Sequence, residues 1–318
     1  MLFLFVFVFK QREKIDFFYG YEVEFIPVVT FIAKVLKRPV ISRFQGTILA
    51  PLMRKKLWKL RYLPHYISIK QKTNLTIMTD DGTQGSYVTK CIRNNLDKFL
   101  FIKNGVDFQE IDDSKISREI NNLISSFERY DFNFISVSRL QNWKRVDRSI
   151  NVFKDFLKKY PNSRYIIAGE GEAKQSLEEY VKKCDLEKKI LFTGGVNRDE
   201  INLLMSKSEI FLSHYELSNV GNPLWEAISN GCLVVTISNG DTCKIISDSL
   251  NGIISPEDSY LDNANKLVEV LSDNSRVEEM LMQARATLDK EIYSWNKRMD
   301  LEYKEVLKIA SIANLPCE

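Results

Sequence analysis

The chain has 318 residues, of which 44% are hydrophobic and 27% are charged, a composition that suits one large or two ordinary globular domains. Forty-five basic against forty-two acidic residues leave a formal net charge of +3, a field too weak to indicate nucleic-acid binding. Two histidines and five scattered cysteines disfavour a histidine-rich metal site and a Ser-His-Asp triad, and they predict reduced thiols in a cytoplasmic protein.

The first nine residues, MLFLFVFVF, are apolar after the start. This run is too short for a membrane-spanning helix, which needs about 20 apolar residues. It also has no preceding basic residues and no small-residue cleavage site, which argues against a signal peptide. Its composition predicts a buried strand, with a signal anchor as the alternative.

The front third alternates apolar runs with stretches of helical periodicity. Strands are predicted at 15–20, 38–44, 74–80 and 98–106, and a helix at 25–37. The polar segment 116–130 is predicted to be a linker.

The alternation of apolar and helical segments becomes regular after residue 131. Continuous apolar runs alternate with helical patterns, and strands are predicted at 131–138, 165–169, 190–194, 209–213, 232–238 and 251–255. Such alternation is typical of a parallel sheet covered by helices on both faces. The sequence therefore predicts an α/β protein with two Rossmann-like domains, of which the first is incomplete and the second complete, followed by a long amphipathic helix.

Ligands of open parallel sheets bind outside the carboxyl ends of the strands, and several predicted strand ends carry suitable groups. Arg139 and Lys144 follow one strand, and basic side chains of this kind can bind two phosphates. Gly169-Glu170-Gly171 follows the next strand, where missing side chains let a ligand approach the backbone. These features indicate a nucleotide diphosphate carrying a further group.

The stretch SHYELSNVGNPLWEAISNG at 213–231 adds a helix start to this set. Gly221 permits a tight turn and Pro223 suits the first helical position, so free N–H groups around residues 219–222 would attract a phosphate or a sugar hydroxyl. Glu226 lies about one turn inside this helix, where its carboxylate can accept hydrogen bonds from a ribose diol.

Together these motifs resemble those of family 4 glycosyltransferases, enzymes of the GT-B fold that use nucleotide sugars and retain the anomeric configuration. The resemblance covers residues 95–300 and rests on these pieces: Asn104-Gly105-Val106-Asp107, Ser138-Arg139-Leu140 with Lys144, Gly169-Glu170-Gly171, Phe192-Thr193-Gly194, residues 218–227 up to Gly231, Asn251-Gly252 and Trp295. It implies a partial N-terminal, acceptor-side domain at 1–115, a linker at 116–130, a C-terminal nucleotide-sugar-binding domain at 131–294, and a helix at 295–318 that crosses back to the first domain.

By this resemblance, Arg139 and Lys144 hold the donor diphosphate and Glu226 holds the ribose. The remaining donor-binding positions are those whose backbone would face the ligand: Gly169, Gly171, Asn219, Val220, Gly221 and Asn222. No metal and no further cofactor are expected, because basic side chains and the helix dipole would neutralise the leaving group and no Asp-x-Asp motif follows a strand.

Two positions depart from the family pattern. The usual partner glutamate falls eight positions before Glu226, where this sequence has Ser218, and the nearest acid is Glu216; both are candidates for the catalytic position. Where the family often has His-Gly after a strand, this sequence has Gln45-Gly46, which leaves the chemistry on the acceptor side open.

The predicted function is transfer of a sugar from a nucleoside-diphosphate donor to a saccharide or lipid-linked acceptor, with retention. The alternative is a truncated, non-catalytic nucleotide-sugar-binding protein or partner subunit. A Rossmann oxidoreductase is disfavoured because no GxGxxG motif occurs.

The basic, aromatic-rich segment 52–66 has two interpretations. It is either a helix that extends its lysines into solvent, or a surface for an acidic membrane or a lipid-linked acceptor. The second interpretation predicts a cytoplasmic protein with peripheral contact to the inner face of the membrane.

Overall fold

A computed structural model describes residues 10–107 and 111–313. The predicted strand at 1–9 lies outside the described residues. The chain divides into two compact units, one comprising residues 1–105 with 293–318 and the other comprising residues 106–292.

The first unit contains a four-stranded parallel sheet in the order β1-β2-β3-β4. Its elements before residue 105 are β1 (Phe18–Tyr21), α1 (Glu22–Val35), β2 (Val40–Phe44), α2 (Leu49–Leu52), α3 (Trp58–Arg61), α4 (Leu63–Lys70), β3 (Leu75–Thr79), α5 (Gly85–Arg93) and β4 (Phe99–Ile102). Every residue of β2 and β3 is buried, as expected for central strands that helices cover on both faces.

The second unit contains a six-stranded parallel sheet in the order β10-β9-β8-β5-β6-β7. Its elements are α6 (Arg118–Ile124), β5 (Phe132–Val137), α7 (Val146–Phe156), β6 (Ser163–Ala168), α8 (Lys174–Lys183), β7 (Ile190–Gly194), α9 (Arg198–Ser206), β8 (Ile210–Ser213), α10 (Asn222–Ser229), β9 (Leu233–Ser238), β10 (Ile253–Pro256), α11 (Asp262–Leu271) and α12 (Asn274–Glu291). Two buried apolar clusters, one on each face of the sheet, form its core. The six predicted strands and the α/β fold class are confirmed.

The terminal helix α13 (Trp295–Ala313) belongs to the first unit. Ile309 of this helix packs against Ile41, Leu75 and Ile77 of the sheet. Gly105 also contacts the start of α13, since a Cβ atom at Gly105 would lie 2.6 Å from the Trp295 Cα. The glycine of the Asn104–Asp107 motif therefore permits close packing of the helix start.

Residues 116–130 differ from the predicted linker. They contain α6, and Ile116, Ile120 and Phe127 are buried in the core of the second unit. The Ser117 N–H also donates to Glu200 Oε1 at 3.0 Å, and Glu200 simultaneously forms a capping box with Asn197 at the start of α9. A few apolar side chains and this one carboxylate hold the segment against the unit, although its overall composition is polar.

No helix among residues 10–107 and 111–313 is both long and apolar enough to cross a lipid bilayer.

Candidate functional site

The candidate site lies at the carboxyl ends of the strands in the second unit. The chain runs from β5 outward through β6 to β7 on one side, and β8 then pairs with the opposite edge of β5. The strand order therefore reverses between β5 and β8. In open α/β sheets, ligands bind in the crevice at such a switch point, which is flanked here by the loops that follow β5 and β8.

The loops after β5 and β6 are packed directly against each other. The Leu140 N–H donates to Glu170 O at 2.8 Å, and the Ala173 N–H donates to Leu140 O at 2.9 Å. Gly169 has a φ of +144°, and a Cβ atom there would overlap the Ser138 carbonyl. A Cβ atom at Gly171 would likewise overlap the Leu140 carbonyl.

These contacts change the interpretation of Gly169 and Gly171. The Ser138–Leu140 loop fills the space left by their missing side chains, and the prediction that a ligand approaches the backbone there is not met at these two positions. The two glycines therefore set the position of the loop that carries Arg139. Arg139 itself is exposed at this edge of the sheet.

Lys144 lies between the loops that follow β5 and β8. Its Nζ is 4.1 Å from the centroid of the Trp143 ring and 3.8 Å from that of the Tyr215 ring, and the two rings meet edge to face. The Tyr215 hydroxyl is anchored to the Val137 carbonyl at 3.2 Å. Two aromatic faces thus stabilise the ammonium group and restrict it to the switch point.

Trp143 and Tyr215 were not identified as site residues from the sequence. The signal was present, because each of these aromatic residues stands beside a candidate residue, Trp143 next to Lys144 and Tyr215 next to Glu216. The sequence could not show that the two rings, 72 positions apart, enclose one lysine.

Residues 218–220 are engaged within the protein itself. The Asn219 N–H donates to Thr242 Oγ1 at 3.2 Å, and Asn219 Oδ1 accepts from the Tyr215 N–H at 2.9 Å. The Val220 N–H donates to Ser218 Oγ at 3.1 Å, and all three residues are buried.

The prediction of free, outward N–H groups is therefore wrong for Asn219 and Val220. Asn219 holds the loop after β8 against the loop after β9, and Val220 packs in the apolar core. Ser218 acts as a turn residue, since its hydroxyl accepts from the backbone two residues later.

Gly221 and Asn222 lie at the start of helix α10. Gly221 is the N-cap residue with extended backbone, and Pro223 occupies the first turn. No hydrogen bond donated by the Gly221 N–H is found within the part of the chain that the structure describes. The helix dipole adds a positive field at this end of α10, so the arrangement favours an anion or a sugar hydroxyl.

Glu226 is partly buried in α10, and its carboxylate has no hydrogen-bond partner among residues 10–107 and 111–313. Burial raises the pKa of this carboxyl group, and the nearby Arg198 guanidinium opposes the rise. A partly desolvated carboxylate without a hydrogen bond is unfavourable in the free protein. A ligand that donates hydrogen bonds would remove that cost.

Glu216 occupies a different environment. Its carboxylate Oε1 is 3.3 Å from Arg145 Nη1, and its N–H donates to the Trp143 carbonyl at 3.0 Å. Arg145 also pairs with Asp147 at 2.9 Å, and the hydrogen bond to Asp147, followed by the interaction with Glu216, raises the pKa of the guanidinium.

Glu216 also lines a cavity of about 730 Å³ together with Trp143, Arg145, Asp147 and Tyr180. Arg139, Lys144 and Glu226 are not among the residues that line it. Glu216 therefore lies against the loop after β5, where Arg145 compensates the charge of its carboxylate.

His214 is a buried support of this region. Its Nδ1 is 2.8 Å from Ser149 Oγ and its Nε2 is 3.1 Å from Asn263 Nδ2. Burial, together with the Arg148 charge, lowers the pKa of the imidazole to about 3, so the ring is neutral at physiological pH. It connects α7 and α11 to the end of β8.

Among the described residues, no group of three or more His, Cys, Asp or Glu side chains is arranged to hold a metal ion. Three cationic side chains follow β5 at this edge: Arg139 and Lys144, and Arg145, which is paired with Asp147 and Glu216. The start of α10 adds the positive end of a helix dipole.

The fold and the carboxyl edge of the second sheet define a class of protein. It is a parallel α/β protein of two units, whose second unit presents basic side chains, a helix start and the Glu226 carboxylate at a topological switch point. Residues 118–287 match the family described as Glycosyl transferases group 1, and the chain belongs to that family. The fold is of the GT-B type, as predicted.

Two curated relatives come from Arabidopsis thaliana. One, a component of phosphatidylinositol N-acetylglucosaminyltransferase, is 25% identical over 181 residues, which cover 56% of this chain and 39% of that protein. The other, sulfoquinovosyl transferase SQD2, is 25% identical over 276 residues, which cover 83% of this chain and 51% of that protein. The chain thus spans about half or less of the length of these relatives.

The fold is also similar to that of the Anabaena protein HepE, solved in complex with UDP and glucose. The TM-score is 0.76 at 18% identity, and the match covers 96% of this chain and 81% of HepE.

Proposed function

We propose that this protein is a glycosyltransferase that takes a sugar from a nucleoside diphosphate and binds that donor at the switch point of the second unit. The observation that carries the proposal is Glu226, a partly buried carboxylate without a hydrogen-bond partner in the described chain, on the same sheet edge as Lys144. Family membership and the UDP complex of HepE support a nucleotide ligand.

In this proposal, each residue of the candidate site binds a particular part of the donor. Lys144 and Arg139 bind the two phosphates, and the Gly221 N–H at the start of α10 donates to the β-phosphate or the sugar. Glu226 accepts hydrogen bonds from the ribose hydroxyls. As the bond between the sugar and the diphosphate breaks, these fixed positive groups stabilise the negative charge that develops on the leaving oxygen.

The proposal makes transfer independent of a divalent metal, because protein groups supply the positive charge that the leaving diphosphate requires. We expect transfer to persist after treatment with EDTA. A loss of transfer that Mg²⁺ or Mn²⁺ restores would contradict this part of the proposal.

Retention of the anomeric configuration remains a prediction from the family resemblance. Glu216 and Ser218 stay the predicted catalytic residues. In the conformation described, Glu216 is paired with Arg145, and the Ser218 hydroxyl accepts a hydrogen bond from the Val220 N–H. The configuration of the product can be measured by NMR with an anomerically pure donor.

The proposed acceptor is a saccharide or a lipid-linked molecule. The phosphatidylinositol in the name of the first Arabidopsis relative favours a lipid. A panel of both acceptor types, assayed with each donor that binds, would identify the acceptor.

Isothermal titration with UDP, GDP and uridine tests the donor site. We expect a diphosphate to bind, and we expect Lys144→Gln to weaken that binding about 10- to 100-fold, since it removes a charge-assisted contact. Uridine affinity should not change in this variant. Lys159→Gln, at an exposed lysine just beyond the end of α7, is the matched control.

The titration also separates the two functional interpretations. Binding followed by hydrolysis or transfer of a UDP-sugar or GDP-sugar supports the enzyme. Binding without turnover supports a non-catalytic nucleotide-sugar-binding protein or partner subunit, and the absence of any nucleotide binding refutes both.

A further inference from the structure

The first unit has a strongly asymmetric charge distribution that the donor site does not use. Residues 25–79 contain eleven lysines and arginines and no aspartate or glutamate, although the whole chain is nearly balanced at 45 basic to 42 acidic. The densest part is the run Arg54, Lys55, Lys56, Lys59 and Arg61, and all five side chains are exposed.

Exposed apolar side chains occupy the same segment. Leu57 is 68% exposed, Leu60 69%, Leu63 41% and Ile67 38%. Tyr62 (φ −115°, ψ 39°) ends α3 and precedes α4, so the two short helices follow each other directly along the chain. These four exposed side chains lie within eleven residues of α3, its N-cap and α4, and are here named the leucine stripe.

The rest of the segment is firmly packed, so the stripe is not a frayed end. Leu49 is fully buried, and Met53 and Trp58 pack against the same apolar cluster. Within α4, Ile69 is buried and the Ser68 hydroxyl donates to the Val23 carbonyl at 2.7 Å. The core-facing side of α3 and α4 is thus occupied, while the leucine stripe is exposed.

The lysines beside the leucine stripe are oriented by aromatic rings. Lys59 Nζ is 5.8 Å from the Trp58 centroid and 5.5 Å from the Tyr66 centroid. Within the described ranges, no salt bridge involves any of the basic residues between positions 54 and 61. No described residue therefore neutralises the positive charge of this surface through a salt bridge.

We infer that the leucine stripe and its flanking basic residues dock the first unit onto the surface of an anionic lipid bilayer. Leucines inserted into the boundary between headgroups and acyl chains lose contact with water, while lysines and arginines attract lipid phosphates. Charge alone would also suit a nucleic acid, but four exposed aliphatic side chains gain nothing against a phosphate backbone. This inference does not depend on the donor site.

Co-sedimentation of the full chain with vesicles tests the inference. We expect binding to vesicles of phosphatidylcholine mixed with phosphatidylglycerol, much weaker binding to pure phosphatidylcholine, and a decrease as salt rises. No sedimentation with the anionic vesicles at low salt would overturn the inference, and so would equal binding to both kinds of vesicle.

Charge variants locate the surface. Each basic residue near an anionic membrane contributes about fivefold to partitioning, so Lys55→Gln, Lys56→Gln and Lys59→Gln together should weaken binding about 100-fold. The control carries the same three changes at exposed lysines of the second unit, Lys182, Lys183 and Lys188. An equal loss in both triple variants would refute the assignment of this surface.

The leucines provide a second, independent variant. Leu57→Ser and Leu60→Ser remove two mostly exposed side chains, so the fold should be retained by circular dichroism while vesicle binding falls about tenfold for each leucine. Leu250→Ser, at a 52% exposed leucine of the second unit, is the control. Unchanged vesicle binding in the double variant, or RNA binding in place of vesicle binding by the wild type, would overturn the inference.

Discussion

Replacing Glu226 with glutamine should change ligand affinity and stability in opposite directions. The variant keeps the shape of the side chain and removes its charge. Loss of a charge-assisted hydrogen bond to the ribose costs about 1.5–3 kcal/mol, which corresponds to a diphosphate Kd that is about 10- to 150-fold higher. Isothermal titration with the diphosphate that the wild type binds measures this change.

The stability of the free protein should instead increase at neutral pH. Burial raises the pKa of Glu226 in the folded state, so the folded protein binds this proton more tightly than the unfolded chain. The contribution of this group to stability is therefore fully present at low pH and is lost as the pH rises through the folded pKa. Glutamine, which is always neutral, avoids that loss, and its melting temperature should exceed that of the wild type at pH 7.

Glu279→Gln is the matched control, because Glu279 is exposed on helix α12 of the same unit. It should leave both the Kd and the melting temperature close to the wild-type values. If Glu226→Gln binds the diphosphate as tightly as the wild type does, Glu226 is not a ligand-binding residue. If the variant melts at a lower temperature at pH 7, the carboxylate has a stabilising partner and the reasoning from burial fails.

Three further outcomes follow from other features of the structure. Gly169→Ala should lower the urea midpoint more than Gly231→Ala does. Both glycines have positive φ, but only at Gly169 would a Cβ atom overlap a carbonyl. Equal decreases in the midpoint would contradict the close packing of the loops after β5 and β6. Glu302→Gln should destabilise the protein by about 3–5 kcal/mol in urea melts, because the buried arginines Arg43 and Arg298 both pair with this carboxylate. A loss below about 1 kcal/mol, typical of a surface pair, would contradict a buried ion-pair role for Glu302. His214→Gln should reduce the loss of stability that occurs as the pH falls from the ordinary imidazole pKa of 6.5 to about 3. In this range the imidazole takes up a proton in the unfolded chain but not in the folded protein. An unchanged dependence of the melting temperature on pH would show that another group causes the loss.

Much of the second unit could be predicted from local patterns, because its strands are continuous apolar runs. Residues 190–194 and 233–238 are short and rich in β-branched or aromatic residues. The structure of the segment 116–130 could not be predicted from local patterns in the same way. Its attachment includes three buried side chains and hydrogen bonds to Glu200 and Arg164, which lie far along the chain. Composition averaged over a window conceals such contacts.

In the candidate site too, local motifs predict some residues, whereas the roles of others depend on partners far along the chain. The positions of Arg139, Lys144 and Glu226 follow from motif order and strand ends, so the sequence was sufficient to nominate them. The roles of Asn219 and Gly169 could not be predicted, because their partners, Thr242 and Ser138, lie 23 and 31 positions away. A free amide and an occupied amide, or a glycine facing a ligand and one facing a loop, look identical in the sequence.

The first unit is built from both ends of the chain, and this determines when it can be completed. Glu302, on the terminal helix, approaches Arg43 of β2 to 3.8 Å, and the Tyr19 hydroxyl of β1 donates to it at 3.1 Å. During synthesis, residues 106–292 are available to fold as soon as they leave the ribosome, whereas the sheet that emerged earlier waits for its last helix. Until then Arg43 lacks the Glu302 carboxylate, and a nascent chain stalled before residue 293 should be sensitive to proteases in its front part only.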